Sequence, residues 1–291
     1  MDDFEIKEQV RQFYNQVGWQ MVGEGIYQNA RYEDLRPVAS EYIHRCHMRV
    51  KRYLKPEGFY LLDAGSGPIQ YPDYLVYSQG YRYRVCLDIS FVALVEARKR
   101  IGERGLYVVA DVANLPFKPG VFDGVVSLHT LHHLPQDDQK TAYAELYRVL
   151  APGSSAVVVN GWTESALMKR LQWLVNLMER LGRRVAANRQ GAPASENPNG
   201  KKEQPAQPAG PTGTYIHKQD AGWLRRQLQG MDVEIRCWRS VNVRFLRAVI
   251  HQSLGGRWWL RLLFWLEERF PHYFGEKGQY PLVIVRKNSH E

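Results

Sequence analysis

Cysteine is scarce in this chain. Cys46, Cys86 and Cys237 are too few and too scattered for a disulfide framework or a zinc motif, which fits a reducing compartment. No run of about 18 apolar residues occurs, so no membrane span is expected. The opening Met-Asp-Asp-Phe-Glu-Ile-Lys-Glu is acidic and polar and reads as no secretory signal. The expected location is the cytoplasm. No Gly-Lys-Ser/Thr follows a glycine-rich turn, which excludes a P-loop, and no internal repeat is apparent. Acidic residues are outnumbered, 30 Asp and Glu against 39 Lys and Arg, for a formal charge of +9. That surplus suits an anionic substrate, an acidic membrane face or nucleic acid, or is simply a basic surface.

What is present is organised around residues 58–70, Gly-Phe-Tyr-Leu-Leu-Asp-Ala-Gly-Ser-Gly-Pro-Ile-Gln. Phe59 to Leu62 form a short apolar run of the kind a buried strand needs. Asp63 ends it, and the Gly65-Ser66-Gly67 turn follows, where glycine admits positive φ and close approach of a ligand. Open α/β sheets build nucleotide pockets at such carboxyl edges.

Ahead of that strand, residues 1–55 read as an N-terminal helical layer: Val10, Phe13, Tyr14 and Val17 recur at helical spacing, and a second helix spans 37–54. Residues 56–162 alternate strand and helix, with strands at 59–63, 84–88, 107–111, 122–128 and 156–160. A helix between Gly67 and Gly80 and others at 91–102 and 137–150 connect them. Residues 163–216 are an insertion. Leu167, Leu171, Leu174, Met178, Leu181 and Val185 form an apolar stripe opposite Lys169, Arg170, Arg180, Arg183 and Arg184. A Pro- and Gly-rich stretch, 186–213, follows and reads as a flexible loop. Residues 217–291 return with helix 218–228 and strands 232–238 and 281–286, interrupted by a Trp-rich insertion at 243–276. The expected fold is α/β: a Rossmann-like, doubly wound, mostly parallel sheet of seven strands with two helical cap insertions.

Asp63, Asp88 and Asp111 each close a strand. Asp88 stands 21 residues beyond Gly67, the spacing at which an acidic side chain accepts from ribose hydroxyls. Asp111 and the Val112 backbone are placed to meet a base amino group. A lone aspartate of this kind is usually a helix cap; three at successive strand ends favour a nucleoside pocket. The dinucleotide fingerprint fails at Gln70, where its third glycine is needed. Asp63 adds negative charge where pyrophosphate would lie, and so favours a cationic ligand.

These motifs resemble the class I S-adenosylmethionine-dependent methyltransferases. The likeness is carried by Leu62-Asp63-Ala64-Gly65-Ser66-Gly67, Leu87-Asp88-Ile89-Ser90, Ala110-Asp111 through Pro116-Phe117, Phe122-Asp123 through Leu128-His129 to Pro135, and Glu145 through Pro152-Gly153. It spans about residues 55–162 and looks nearest to the small-molecule and ubiquinone/menaquinone-biosynthesis branch. The resemblance implies S-adenosylmethionine as cofactor. Asp63, Ala64, Gly65, Ser66 and Gly67 would face its methionyl part and ribose. Asp88 would hold the ribose hydroxyls, beside Ile89 and Ser90. Asp111 and Val112 would recognise adenine, and His129 would line the methyl-donor side. Tyr14 and Trp19 would cover the cofactor, with Arg31 or Arg36 pairing with a carboxylate there. The family often has a glycine where this chain has Ile69, so the turn departs from the pattern.

Methyl transfer from a sulfonium needs alignment more than a protein nucleophile. A general base is needed only where the acceptor must lose a proton, and His132 and His133 are the candidates. They serve equally well as packing or capping residues of the 131–135 turn. No metal site is expected. The acceptor is expected to be a small organic molecule, a hydrophobic or amphiphilic one among the options, bound by the variable segments. The Trp-rich insertion is expected to bury against the first insertion as a cap core, or else to meet a membrane interface. No dedicated nucleic-acid module is recognisable. A non-catalytic nucleoside-binding protein and, less well supported, an RNA methyltransferase or a nicotinamide oxidoreductase remain as alternatives.

Overall fold

A computed structural model describes residues 2–19, 21–23, 26–27, 33–189 and 214–289. Most of the expected 186–213 loop, and Arg31, lie outside the described residues. The seven strands of the main sheet are β1 (Gly58–Ala64), β2 (Tyr81–Asp88), β3 (Gly105–Val109), β4 (Gly124–Leu128), β5 (Ser155–Val159), β6 (Asp232–Arg239) and β7 (Tyr280–Arg286). Their order across the sheet is β3-β2-β1-β4-β5-β7-β6. β7 runs antiparallel to both β5 and β6, and the other neighbours are parallel. The order reverses between β1 and β4, which is where a doubly wound sheet opens its ligand crevice.

Alternation along the strands divides the core into two layers. Leu61, Cys86, Val126, Val157 and Ile284 face one side, against α2 (Ser40–Lys51), α3 (Phe91–Ile101) and α5 (Ala166–Arg189). Leu62, Val85, Val125, Val158 and Val283 face the other, against α4 (Gln136–Val149) and α6 (Ala221–Gln227). The first helix, α1 (Asp3–Phe13), is closed by a capping box between Asp2 and Glu5. A single π-turn, Tyr14–Gly18, continues it. Ile6, Val10 and Phe13 are buried yet belong to neither core layer.

Two expectations are corrected. Between β1 and β2 the chain makes a 3-10 segment, Pro72–Ser78, rather than an α-helix; Pro72 starts it and no side chain caps it. The second correction concerns the Trp-rich insertion, which forms α7 (Val243–Val249), α8 (Gly256–Arg269) and α9 (Pro271–Lys277). α8 buries Leu260, Phe264 and Glu267 rather than its tryptophans, which are exposed. Its position is fixed by a buried polar knot. Glu267 receives the Arg49 guanidinium at 2.9 Å, the Tyr42 hydroxyl at 2.7 Å and the Ser240 amide at 2.9 Å. Arg49 also donates to the Trp238 carbonyl at 2.7 Å, tying α2, α8 and β6 together. α7 does pack on α5, the helix of the first insertion, with Arg244 donating to Glu179 at 2.8 Å; it is α8 that departs from the expected cap core, because its buried charge needs such partners.

Candidate active site

The carboxyl edges of the strands enclose a cavity of about 380 Å3, within the roughly 300–1,000 Å3 usual for small-molecule sites. Its floor is the glycine turn. Gly65 and Gly67 have φ of 75° and 53°, the left-handed region that favours glycine. A Cβ on Gly65 would lie 2.2 Å from the Thr130 methyl, and one on Gly67 would lie 3.0 Å from the Trp19 ring. The turn is therefore a cradle that a side chain would fill. Ile69 shares the left-handed backbone, at φ 56°, although it is β-branched and fully buried.

Asp63 lines the cavity, but the buried guanidinium of Arg84 holds its carboxylate, with Nε at 3.1 Å. The charge offered to a cationic ligand is thus largely neutralised by Arg84, which corrects the expectation that Asp63 favours such a ligand. Asp88 is the acidic group that keeps an unneutralised place in the wall. Its oxygens accept from the Gly67 amide at 2.9 Å and the Ser90 amide at 2.8 Å. Each carboxylate oxygen has a second lone pair for another donor. Burial raises the Asp88 pKa to about 6. Gly65, Ser66, Gly67, Ile89, Asp111 and Val112 also line the cavity. Ala64 and Ser90 stay outside its wall. Ala64 is fully buried in β1, and Ser90 caps α3 through the Ala93 amide.

Asp111 lies two residues past β3, and one of its oxygens accepts from the Ala113 amide at 2.9 Å. The other meets Lys7 at 2.5 Å, and Lys7 also reaches Asp138 at 2.6 Å. Burial alone would lower the Lys7 pKa; these two carboxylates hold it raised. α1 thereby spans the Asp111 end of the cavity, and its π-turn supplies a roof in which Tyr14 stacks on Trp19 with ring centroids 5.0 Å apart. Asn15 accepts from Ser90 Oγ at 2.6 Å and anchors that turn to α3. Arg36 is taken up by Asp34, at 2.6–2.8 Å, and by the Leu246 carbonyl.

His129, His132 and His133, which line the cavity, are partly buried and electrically quiet. His129 leaves β4 at φ 57° and its pKa is lowered to about 3, first by burial and then by Arg239, His47 and Lys218. His133 donates from Nδ1 to the Tyr215 carbonyl at 2.8 Å, so its Nε2 accepts from the Tyr14 hydroxyl, also at 2.8 Å. Both nitrogens are engaged, and in this arrangement His133 has no lone pair for an acceptor's proton. Burial also lowers its pKa to about 4. His132 hydrogen-bonds Asn160 through Nδ1 at 3.2 Å, and burial lowers its pKa well below the histidine norm. It is a weak base.

The sequence reading missed the opposite end of the cavity, where Glu33, Tyr71, Gly161, Lys218, Arg239 and Tyr280 form the wall. Arg239 stands at the carboxyl end of β6 and is legible by that position. Lys218 lies in an irregular segment, and nothing in the sequence marks it. Among the described residues no cluster of three or more metal-ligating side chains occurs, and no helix is long and apolar enough to cross a membrane.

Residues 62–158 match the methyltransferase domain family. The ubiquinone/menaquinone biosynthesis C-methyltransferase of Roseobacter denitrificans is 26% identical over 178 residues, 57% of this chain and 70% of that protein. The 18S rRNA (guanine-N(7))-methyltransferase of Bos taurus is 34% identical over 109 residues, 34% of this chain and only 38% of that protein's length. Phosphoethanolamine N-methyltransferase 1 of Haemonchus contortus, solved with phosphoethanolamine and S-adenosylhomocysteine, superposes with a TM-score of 0.58 at 10% identity, covering 100% of this chain and 51% of that one. The structural likeness is one of fold.

Proposed function

This chain is a class I S-adenosylmethionine-dependent methyltransferase, and from that premise we propose that its acceptor is a small organic molecule with a substantial apolar part. The observation that carries this is the roof. α1 and its π-turn close over the strand edges, so an acceptor enters a chamber walled by Phe13, Tyr14, Trp19, Tyr71, Tyr74 and Tyr280. A polymer substrate calls for an open groove rather than a roofed, aromatic chamber. The Roseobacter relative, whose name places it in ubiquinone and menaquinone biosynthesis, supports the same class.

The residues fit the cofactor. The left-handed glycine turn leaves room for close approach, and in our reading its backbone holds the methionyl part. Asp88 receives the ribose hydroxyls, Ile89 and Val112 sandwich the adenine, and Asp111 takes its amino group. Tyr14 and Trp19 exclude water above it, with His129 and Thr130 beneath the donor side. When bound, S-adenosylmethionine supplies an electrophilic sulfonium methyl group. The protein's part is alignment and dryness. His133 keeps Tyr14 in place rather than removing a proton, so the favoured acceptor presents a lone pair already available at neutral pH.

The exposed tryptophans of α8 support a second element of the proposal, a peripheral membrane contact through that helix. Incubation of the protein with methyl-labelled S-adenosylmethionine and cell extract tests the acceptor class. Label is expected in the solvent-extractable fraction, and label confined to RNA would overturn the small-molecule reading.

A further inference from the structure

The cavity is electrically divided by the order of the strands. Asp63 and Asp88 stand at the carboxyl ends of β1 and β2, and Asp111 lies two residues past β3, three strands that form one half of the sheet. Arg239 ends β6 in the other half, and Lys218 lies over Gly161, which follows β5. Resting on the methyltransferase reading of this site, we propose that the second half is an oxyanion subsite. In it Lys218 and Arg239 bind a carboxylate or phosphate group carried by the methyl acceptor.

Lys218 is held ready. Its carbonyl accepts from the Thr163 hydroxyl at 2.6 Å, and the neighbouring Gln219 carbonyl accepts from the Thr163 amide at 3.1 Å. On its other side the His217 amide donates to the His132 carbonyl at 2.7 Å, and the His217 carbonyl accepts from Gln139 at 2.7 Å. With the backbone pinned on both sides, the ammonium lies over Gly161, where an added Cβ would stand 3.2 Å from Nζ. Among the described residues Lys218 Nζ has no hydrogen bond and no ion pair, and burial lowers its pKa. A partly buried ammonium without a carboxylate is costly; a site that keeps one is built for an anion from outside.

Arg239 contributes a second donor. Its side chain is 3% exposed and pairs with Glu33 through Nη1, while Nε has no partner among the described residues. The groups that face this end are His129, His132, His133, His47, Tyr71, Tyr280, Glu33 and Arg239. Glu33 offsets Arg239, and burial depresses the pKa values of His129, His132 and His133, so these stay neutral near pH 7. The ammonium of Lys218 is left over. The carboxylate of Asp88 lies in the other half of the cavity and offsets a bound sulfonium there, so a neutral acceptor would leave the Lys218 ammonium alone without a counter-charge at this end. An anionic one supplies it, and a guanidinium with an ammonium is well suited to hold an oxyanion.

The test titrates the S-adenosylhomocysteine-loaded protein with benzoate, phenyl phosphate and, as the neutral match, benzamide. We expect at least one anion to bind and benzamide to bind at least about tenfold more weakly. The Lys218→Met variant should lose about tenfold or more in anion affinity, and Lys218→Arg should restore most of it. S-adenosylhomocysteine affinity should stay the same in both variants. Binding of benzamide equal to the anions, anion affinity unchanged in Lys218→Met, or no binding of either anion at millimolar concentration would each overturn the subsite. Preference between benzoate and phenyl phosphate assigns the oxyanion. Failure of the unmodified protein to bind S-adenosylhomocysteine would instead count against the methyltransferase reading, and anion titration of the cofactor-free protein would still decide the subsite.

Discussion

At the residue scale, Ile69 is where local chemistry and the fold disagree. A β-branched residue in the left-handed region is strained by about 1–3 kcal/mol, while burying an isoleucine contributes about 1.5–3 kcal/mol. The two are of similar size, and Arg100 locks the turn by donating to the Ile69 carbonyl at 2.6 Å. Truncation therefore has an unusual ranking. Ile69→Ala removes the burial and keeps the strain, and is expected to lose about 2–5 kcal/mol. Ile69→Gly removes both, and should be more stable than Ile69→Ala by about 1 kcal/mol, the reverse of the usual order. Urea denaturation decides it, and a less stable glycine variant would mean that the turn relaxes out of the left-handed region. Asp88 gives a second residue-scale expectation. Its pKa of about 6 is raised, so the carboxylate proposed to accept ribose hydroxyls is present above pH 6 and is lost as pH falls. Affinity for S-adenosylhomocysteine should drop by up to about tenfold per pH unit below that point. A flat calorimetric profile from pH 5 to 8 would remove Asp88 from the contact. The oddness of Ile69 was legible in the sequence, through the missing glycine. The neutralisation of Asp63 was not, because Arg84 reaches it only through strand register: Asp63 pairs with Cys86, and Arg84 shares the face of Cys86 two residues earlier.

At the scale of elements, the sheet and the helices between its strands were readable because alternation and helical periodicity are local signals. What α1 covers was not, since its apolar stripe is satisfied equally by a core or by a cavity. The structure gives the second answer: Val10 and Phe13 line the cavity, and with Ile6 they fall outside both core layers. α1 is thus bound to the site by Lys7 with Asp111 and Asp138 and by Tyr14 with His133. Deleting residues 1–19 should then leave a cooperative unfolding transition, because neither core layer is cut. Binding of S-adenosylhomocysteine should weaken at least about a hundredfold, because the roof and its exclusion of water go with the helix. Differential scanning calorimetry and ligand titration on the same variant separate the two effects. Loss of the cooperative transition would show that α1 is part of the core after all.

At the scale of the whole molecule, surface and site meet through α8. Trp258, Trp259 and Trp265 are 61%, 53% and 59% exposed, and Trp258 and Trp265 share a face at a spacing of seven. Arg257 and Arg269 flank them, on a chain of net charge +9. The opposite face of α8 carries Glu267, which accepts from the Ser240 amide, and Ser240 adjoins Arg239 in the cavity wall. One helix thereby presents aromatic and basic groups to the exterior and, one residue removed, braces the end of the chamber assigned to the acceptor. An amphiphilic acceptor would need such proximity to leave a bilayer without crossing much water. Tryptophan and arginine both favour the headgroup level, and each basic side chain near an anionic surface contributes about 1 kcal/mol. The protein should therefore sediment with vesicles containing phosphatidylserine and much less with pure phosphatidylcholine. Replacing Trp258, Trp259 and Trp265 together by alanine should abolish that sedimentation while stability changes little, since exposed substitutions usually stay within about 0.5 kcal/mol each. If the triple variant sediments as the unmodified protein does, α8 is an ordinary surface helix. The acceptor must then reach the chamber from solution.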